Sequence, residues 1–321
     1  MIITKTPLRI PLAGGLSDIK LFAEPFGGAT VSSTINKFTY VNLKENLGGY
    51  FRLRYQDVQE KVSELEHIKH DLIREAIRLM GLENEPLDIV IMSDLAGESG
   101  LGTSGSVTVS LLNAMHRYKG EHVSKQQLLE EASHIEVDIL EGASGYHDPS
   151  ICALGGLKLI EYGKGSIVGR DIPLSTTMRQ RFQDSLLFFY GGRHHKSKPS
   201  LDLLSGNIER AIPTLKTIKG LAYELEQAFL SEDLAQVACL IGEMQNQKQQ
   251  LPGKFLDDYV LDITKRVRDL GAYAQLPGGK ISAFVIVCCP NKEHDAVREA
   301  LKDLTEVKLE LETEGAKALE I

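Results

Sequence analysis

The chain has 321 residues, of which 42% are hydrophobic and 25% are charged. These proportions are typical of a soluble globular protein and exclude wholesale disorder and fibrous repeats. At roughly 150 residues per domain, the length predicts about two domains. The formal net charge of −8 disfavours a nucleic-acid partner, because binding a phosphate backbone needs a basic surface.

The sequence also argues against export and membrane insertion. No apolar stretch approaches the roughly 20 residues of a membrane helix, and the N-terminus lacks a secretion signal. The four cysteines, Cys152, Cys239, Cys288 and Cys289, form no CxxC pair, which disfavours a disulfide framework or a zinc site. We therefore expect a cytoplasmic protein with no membrane partner. Its oligomeric state is left open, and a homodimer is compatible with the sequence.

Hydrophobic periodicity predicts strands and helices in the first half. Phe51, Leu53 and Tyr55 alternate with two arginines, which is the period of a half-buried strand. Ser124 and Gln127 form a predicted capping box. The elements predicted after the first strand are a helix over residues 69–80, a strand over 87–92, a helix over 107–115 and a helix from the capping box to about 140.

A second set of elements begins near residue 180. The pattern predicts a strand over residues 184–190, several helices that include one ending before Gly271, a strand over 283–289, a helix near 292–303 and a strand over 306–312. Mixed strands and helices in two halves predict an α+β fold.

The densest glycine and serine cluster covers residues 97–106, where Gly100-Leu-Gly-Thr-Ser-Gly105 matches GxGxxG. A dinucleotide site would need a second strand ending in an acidic residue about 20 residues on, but residues 107–140 look helical almost throughout. A protein kinase would need further motifs that are missing, and a Walker A loop would need Lys where Thr103 stands.

Two interpretations of this loop remain. Small residues before a helix start let backbone N–H groups approach an anion, which predicts a phosphate-binding loop opening a helix near Ser104. The alternative is a glycine-rich surface loop without a ligand.

The longer string Ser93-Asp-Leu-Ala-Gly-Glu-Ser-Gly-Leu-Gly-Thr-Ser-Gly-Ser106 resembles the P-x-x-x-G-L-G-S-S-A signature of the GHMP kinases, which phosphorylate small molecules. Ala96 replaces the proline and Thr103 the first serine, whereas Ser104 matches the second serine.

Two further segments resemble the same family in the same order. Thr6-Pro-Leu-Arg-Ile-Pro-Leu-Ala-Gly-Gly-Leu-Ser-Asp18 resembles the substrate segment of the sugar-kinase branch, most of all the form in D-glycero-D-manno-heptose 7-phosphate kinases. Residues 132–136, 142–148 and 155–156 resemble the E…GxxxxxD…GG segment. The resemblance implies a ribosomal protein S5 domain 2-like N-terminal domain over residues 1–180 and a ferredoxin-like C-terminal domain over 181–321.

The resemblance also implies ATP and Mg²⁺ as cofactors and assigns residues to them. Ser104 and Glu136 are assigned to Mg²⁺, which suits hard oxygen ligands. Asp148 is assigned as the acceptor of the hydroxyl proton, with Arg9 as the cation that keeps it ionised and offsets charge on the moving phosphoryl group. The residues assigned to the nucleotide phosphates are Ser99, Gly100, Leu101, Gly102, Thr103, Ser104 and Gly105.

Two groups of residues are predicted to bind the substrate. Asp18, in a turn with Gly14 and Gly15, resembles the residue that binds sugar hydroxyls, with a helix N-cap as the alternative. The cationic stretch Arg193-His-His-Lys-Ser-Lys198 could hold a phosphate group through Arg193 and Lys196. A solvated charged loop is the alternative there.

The predicted activity is phosphorylation of a hydroxyl of a sugar or sugar phosphate by ATP with Mg²⁺. The first candidate is D-glycero-D-manno-heptose 7-phosphate at its anomeric hydroxyl. The alternatives are another GHMP kinase, of galactose, arabinose, fucose or mevalonate type, and a catalytically silent sugar-binding sensor. The family's third glycine motif is degenerate, because only Gly278 and Gly279 survive within residues 276–282. We expect Lys280 to substitute a cation for the lost backbone donors.

Overall fold

A computed structural model of the protein describes residues 1–95, 97, 99–141, 145–193, 197–279 and 281–319. The elements up to residue 171 are β1 (Ile2–Ala13), α1 (Lys20–Phe26), β2 (Gly28–Glu45), β3 (Phe51–Tyr55), β4 (Val58–Val62), α2 (Asp71–Leu79), β5 (Leu87–Ser93), α3 (Thr103–Tyr118), α4 (Lys125–Ser133), a π-helical segment (His134–Ile139), α5 (His147–Leu154), β6 (Leu157–Gly163) and β7 (Ser166–Asp171). The elements that follow are α6 (Thr176–Ser185), β8 (Leu186–Tyr190), α7 (Lys198–Ser205), α8 (Ile208–Leu230), α9 (Leu234–Lys248), α10 (Asp258–Arg268), β9 (Tyr273–Gln275), β10 (Phe284–Cys288), α11 (His294–Ala300), β11 (Thr305–Glu306), β12 (Leu311–Glu312) and β13 (Lys317–Leu319).

The first sheet is organised around β2. It has nine strands in the order β13-β1-β2-β5-β3-β4, with β6 and β12 also pairing with β2 and β7 pairing with β6. The 18 residues of β2 are long enough to pair with several strands at different points. Its partner β1 changes register after Pro7 and again after Pro11, because proline has no N–H to donate to a ladder. Arg9 lies between these two shifts.

The second sheet has four strands in the order β11-β8-β10-β9, and each pair is antiparallel. The chain passes from β8 through four helices to β9 and β10, and then through α11 to β11. This is the β-α-β-β-α-β arrangement of the ferredoxin-like fold with extra helices in the first crossover. The predicted α+β fold class is confirmed, and the domain boundary near residue 180 stays a prediction.

The chain returns to the first sheet after β11. The single strand predicted over residues 306–312 is wrong: β11 pairs with β8 in the second sheet, whereas β12 pairs with β2 in the first. The last strand, β13, pairs with β1. The return segment packs closely, since a Cβ added to Gly155 would lie 2.1 Å from the backbone nitrogen of Gly315.

The two sheets share one buried cluster of apolar side chains, which includes Leu8 and Ile10 of β1, Phe182, Phe229 and Ile286. Helix α3 packs against α2, α4, α5 and both β1 and β2, and its residues from Gly105 to His116 are all buried. Its N-terminus is therefore fixed at the junction between the two halves. Within the described ranges, no helix is sufficiently long and apolar to pass through a bilayer.

Candidate active site

A cavity of about 400 Å³ lies at this junction. Its walls come from β1, the first turns of α3 and α5, helices α7 and α9, and the loop after β9. The residues predicted for the site that line this cavity are Arg9, Gly15, Asp18, Ser99, Gly100, Gly102, Thr103, Ser104 and Asp148. Residues far apart in the sequence thus meet around one hollow.

The glycine-rich loop leads into the cavity and opens α3. Gly100 and Gly102 adopt φ angles of +80° and +79°, a left-handed conformation that favours glycine. A Cβ on Gly102 would lie 2.9 Å from Cγ of Arg9, so this position has no room for a side chain. The first N–H groups of a helix have no partner within the helix and attract anions. The loop thus brings small residues and the start of α3 to the cavity, and its role in binding phosphate stays a prediction.

Arg9 holds Asp148 and this loop together. Its Nε and Nη2 donate to Oδ1 of Asp148 at 2.9 and 2.5 Å, and its Nη1 donates to the carbonyl oxygen of Gly100 at 2.5 Å. Burial, the largest single cause, raises the pKa of Asp148, but the charge of Arg9, the neighbouring His147 and the hydrogen bonds from Arg9 together leave the pKa below its ordinary value. Asp148 is therefore an ionised carboxylate at neutral pH.

Asp18 and His147 form the neighbouring wall. The backbone N–H groups of Leu16 and His147 donate to the Asp18 carboxylate at 2.9 and 3.1 Å, which fixes its orientation. Burial, and then the negative charge of Asp148, raise the pKa of Asp18 from its ordinary value to about 6. Burial, and then the charge of Arg9, lower the pKa of His147 to about 3, so its ring is neutral at physiological pH. The ring is hydrogen-bonded to Ser32.

Glu136 lies beside the cavity and not in its wall. Together with Ser104 it lines an adjacent pocket of about 440 Å³ that also contains Tyr55, His70 and Leu72. Thr108 donates to Oε1 of Glu136 at 2.8 Å. Burial raises the pKa of Glu136 to about 7, and the charge of Asp148 contributes in the same direction. Ser104 therefore lines both the cavity and the adjacent pocket.

Besides Glu136, four described residues among those predicted for the site do not line the cavity, namely Gly14, Leu101, Gly105 and Arg193. Leu101 faces β1, where its carbonyl oxygen accepts from the Arg9 backbone N–H at 2.9 Å. Gly105 packs against Asp148 at the start of α5, and Gly14 packs against the backbone of Ala29. Arg193 stacks on the ring of Tyr259 at 4.1 Å and pairs with Asp257 at 3.5 Å, so its role in substrate binding stays a prediction. Lys196 lies outside the described residues.

The degenerate third motif packs directly on the phosphate loop. Ser282 donates its hydroxyl to the carbonyl oxygen of Ser99 at 2.6 Å. A Cβ on Gly278 would lie 3.2 Å from Cα of Gly100. The two loops are therefore in contact, although most of the motif's glycines are missing. Lys280, predicted to compensate for them, lies outside the described residues.

His147 and Lys248 are among the residues that line the cavity and were missed by the sequence interpretation. His147 precedes Asp148 in the chain, so adjacency to a predicted base was a signal that could have found it. Lys248 ends α9, and its position in the cavity depends on a fold that brings α9 against the loop after β9. No sequence motif marks it.

Among the described residues, no group of three or more His, Cys, Asp or Glu side chains is arranged to hold a metal ion. Ser104 and Glu136 offer two oxygen donors on one side of the phosphate loop. This donor set fits Mg²⁺, which takes one or two carboxylates and completes its shell with phosphate oxygens and water.

Residues 69–156 match the family model described as the GHMP kinases N terminal domain. This match contains the phosphate loop, Glu136 and Asp148, so three parts of the site lie within one recognised domain. The predicted resemblance to the GHMP kinases is therefore confirmed for residues 69–156.

The similar proteins extend this likeness over the whole chain. The chain is 21% identical to the D-glycero-alpha-D-manno-heptose 7-phosphate kinase of Campylobacter jejuni, over 94% of this chain and 93% of the relative. The crystal structure of a D-glycero-D-manno-heptose 1-phosphate kinase from Bacteroides thetaiotaomicron has a TM-score of 0.82 and 21% identity, covering 100% of this chain and 99% of that chain.

A third similar protein is the Streptococcus pneumoniae phosphomevalonate kinase in complex with phosphomevalonate and AMPPNP. It has a TM-score of 0.81 and 15% identity, with coverage of 97% of this chain and 100% of that chain. The matched domain and these similar proteins are named as kinases, which confirms the predicted class of enzyme, a small-molecule kinase.

Proposed function

We propose that this protein transfers the γ-phosphoryl group of ATP to a hydroxyl of a sugar phosphate. The proposal rests on one observation. A single cavity is lined by Arg9, Asp18, Asp148 and the glycine-rich loop. Phosphoryl transfer needs an anion-binding loop, a base or orienting group for the acceptor hydroxyl, and charge compensation for the moving group. Each requirement has a candidate residue in this wall.

Asp148 is the proposed acceptor of the hydroxyl proton. Both contacts from Arg9 go to its Oδ1, so we assign Oδ2 as the atom that takes the proton. As the acceptor oxygen bonds to the γ-phosphorus, the bond from that phosphorus to the leaving oxygen of ADP breaks and the proton passes to Asp148. A carboxylate whose pKa lies below its ordinary value is a weak base, so orientation and electrostatics carry most of the acceleration.

Arg9 and the loop are the proposed sources of charge compensation. The guanidinium of Arg9 is permanently charged, and its buried side chain has fixed partners on both Asp148 and Gly100. We assign the backbone N–H groups at the start of α3 to the nucleotide phosphates. Ser104 and Glu136 would hold Mg²⁺, which when bound neutralises charge on those phosphates.

The adjacent pocket is the proposed site for the rest of the nucleotide. Because Ser104 lines both hollows, a triphosphate that follows the start of α3 leads from one into the other. Tyr55, His70 and Leu72 offer the flat and apolar surfaces that a nucleobase needs. The ring of His70 packs edge-on against Tyr55 at 4.5 Å between centroids.

The candidate acceptor is D-glycero-D-manno-heptose 7-phosphate, phosphorylated at its anomeric hydroxyl. The relative from Campylobacter jejuni, matched over nearly the full length of both chains, is named for this substrate. Asp18, held by two backbone N–H groups, is suited to accept hydrogen bonds from sugar hydroxyls. A phosphomevalonate-type acceptor is the second candidate, supported by the structural neighbour that binds phosphomevalonate.

ADP release in a coupled assay tests this proposal. The wild-type protein is supplied with ATP, Mg²⁺ and, in separate reactions, the heptose 7-phosphate, the free heptose, galactose, arabinose, fucose, mevalonate and phosphomevalonate. The control is Asp148→Asn under the same conditions, and phosphorus NMR identifies the position of the new phosphate.

We expect turnover with the heptose 7-phosphate to exceed that with every unphosphorylated sugar. Turnover confined to phosphomevalonate would replace the acceptor and leave the kinase activity intact. If no acceptor gives more ADP than Asp148→Asn does, the proposal of a kinase is wrong and a silent sugar-binding protein takes its place.

A further inference from the structure

Lys248 lies in the wall of the cavity although it is almost completely buried. It is the last residue of α9, its exposed fraction is 2%, and it lines the cavity together with Met244 one turn earlier. A lysine is rarely buried without a functional or structural reason. Its position at the bottom of a hollow places its ammonium group within reach of a ligand.

The ammonium group of Lys248 is held against the third-motif loop. Its Nζ donates to the carbonyl oxygens of Leu276 at 2.8 Å and Gly278 at 2.5 Å. Gly278 in turn packs on Gly100 of the phosphate loop. These contacts hold the amino group of Lys248 at the place where the two glycine-rich loops touch.

A second cation faces the same region. The charge of Arg9 acts on Lys248, and together with burial, which is the larger cause, it lowers the pKa of Lys248 to about 7. Two cations in the wall of one cavity repel one another, and a bound anion reduces that repulsion. The arrangement thus favours a ligand with concentrated negative charge.

We propose that Lys248 binds a phosphoryl group in the cavity, and so supplies by a side chain the anion contact for which the third motif has lost its glycines. The proposal rests on the proposed phosphotransfer reaction for the identity of the ligand. The phosphoryl group belongs either to the acceptor or to the γ-position of the nucleotide. Both have the same chemistry, and pairs of ligands distinguish them.

The experiment measures binding by titration calorimetry, without turnover. The two ligand pairs are AMPPNP with ADP, and D-glycero-D-manno-heptose 7-phosphate with the free heptose. Lys248→Met removes the charge and the donors, whereas Lys248→Gln keeps an N–H donor for the carbonyl oxygens and removes only the charge. The control is Lys125→Met, because Lys125 also donates to a backbone carbonyl, that of Leu154 at 3.1 Å, but is exposed and does not line the cavity.

We expect both Lys248 variants to weaken binding of the phosphorylated member of one pair by at least about tenfold, since a charge-assisted contact is lost. The other member of that pair is expected to bind within about threefold of wild type, because it makes no such contact. If the variants lose more affinity for AMPPNP than for ADP, Lys248 contacts the γ-phosphoryl group. If they lose more affinity for the heptose phosphate than for the free heptose, Lys248 contacts the phosphate of the acceptor.

A purely structural role for Lys248 gives a different result. If Lys248 only holds the loop in place, the variants lose the same affinity for both ligands of a pair, or only their thermal stability falls. Either result overturns the inference. Unchanged affinities in both variants overturn it as well. A wild-type protein that binds these ligands but turns none over contradicts the proposed kinase activity without affecting this measurement.

Discussion

Arg9 and Asp148 are 139 residues apart in the chain, yet two nitrogen atoms of the arginine donate to the same carboxylate oxygen. The third contact of this guanidinium is the carbonyl oxygen of Gly100 in the phosphate loop. One side chain thus sets the position of the proposed base relative to the proposed anion-binding loop. The consequences of changing either partner can be measured separately.

Asp148→Asn is expected to lower kcat by at least about a hundredfold, because an amide cannot accept the hydroxyl proton. Nucleotide binding should persist, since the contacts assigned to the phosphates come from the loop and α3. Stopped-flow or steady-state turnover combined with AMPPNP titration measures both quantities. A variant that retains near-normal kcat would exclude Asp148 from proton transfer.

Arg9→Met is expected to shift the acidic limb of the pH–rate profile to higher pH. Arg9 lowers the pKa of Asp148 through its charge and its hydrogen bonds, against the effect of burial, so removing Arg9 raises that pKa. The ionised fraction of Asp148, and with it kcat/KM, then falls at a pH where the wild type is still active.

The matched control for Arg9→Met is Arg52→Met. Arg52 also pairs with a buried carboxylate, Asp88, but neither residue lines the cavity. The electrostatic role of Arg9 would be contradicted if the acidic limb of the pH–rate profile did not move in Arg9→Met. It would also be contradicted if that limb moved equally far in Arg52→Met.

Gly105→Ala is expected to damage the site through Asp148. A Cβ at this position would lie 2.5 Å from the carbonyl carbon of Asp148 and 2.9 Å from its Cβ, so α5 must move. We expect a loss of about 1–3 kcal/mol in the free energy of unfolding, together with lower kcat. Urea denaturation and turnover measure the two effects.

Gly220→Ala is the control for that substitution, because Gly220 lies inside α8 and a Cβ there meets nothing within 4 Å. Alanine in a helix interior is expected to stabilise by about 0.5–1 kcal/mol relative to glycine. If both variants behave alike, close packing of Gly105 against Asp148 has no role in the site.

Ionisation of Asp18 is expected to reduce stability as the pH rises. Its pKa is raised from 3.8 to about 6 in the folded protein. Between about pH 4 and pH 6 the folded state therefore holds a proton on Asp18 that the unfolded state has lost. The contribution of Asp18 to the free energy of unfolding therefore falls as pH rises through this window and is constant above about 6, with a total change of up to about 3 kcal/mol.

Urea denaturation of the wild type and of Asp18→Asn between about pH 4.5 and 7.5 measures this contribution as a difference that changes with pH. Asp57→Asn, at an exposed position, is the control. A constant difference between wild type and Asp18→Asn would show that the carboxyl group keeps its ordinary acidity.

Removal of Mg²⁺ by EDTA is expected to abolish turnover. Glu136→Gln should raise the Mg²⁺ concentration for half-maximal rate by at least about tenfold, because a carboxylate ligand is replaced by a weaker neutral oxygen. Asp138→Asn is the control on the same π-helical segment, since Asp138 is exposed and pairs with Lys20. Equal Mg²⁺ dependence in wild type and Glu136→Gln would exclude this glutamate as a metal ligand.

The elements that depend on local patterns were well predicted from the sequence. The helix predicted over residues 69–80 is α2, and the predicted cap is present, since the Ser124 hydroxyl accepts from the Gln127 backbone N–H at 3.1 Å. Capping and periodicity act within a few residues, so they can be recognised without knowing the fold.

Features set by distant contacts were not predicted. The helix expected to continue to about residue 140 becomes π-helical at His134, and within this segment Glu136 is buried while Asp138 is exposed. The place of Lys248 depends on carbonyl oxygens of Leu276 and Gly278. Such features leave no periodic trace in the sequence, because they depend on contacts between residues that are distant in the chain.

The pairing of β13 with β1 and of β12 with β2 bears on how the protein is made. During synthesis, β1, which carries Arg9, is made long before its outer neighbour β13. The nine-stranded sheet therefore reaches its full width only after residues 317–319 have left the ribosome. Until then an unpaired strand edge is open to other chains, so we expect a chain truncated before residue 311 to aggregate more readily than one that contains β12 and β13.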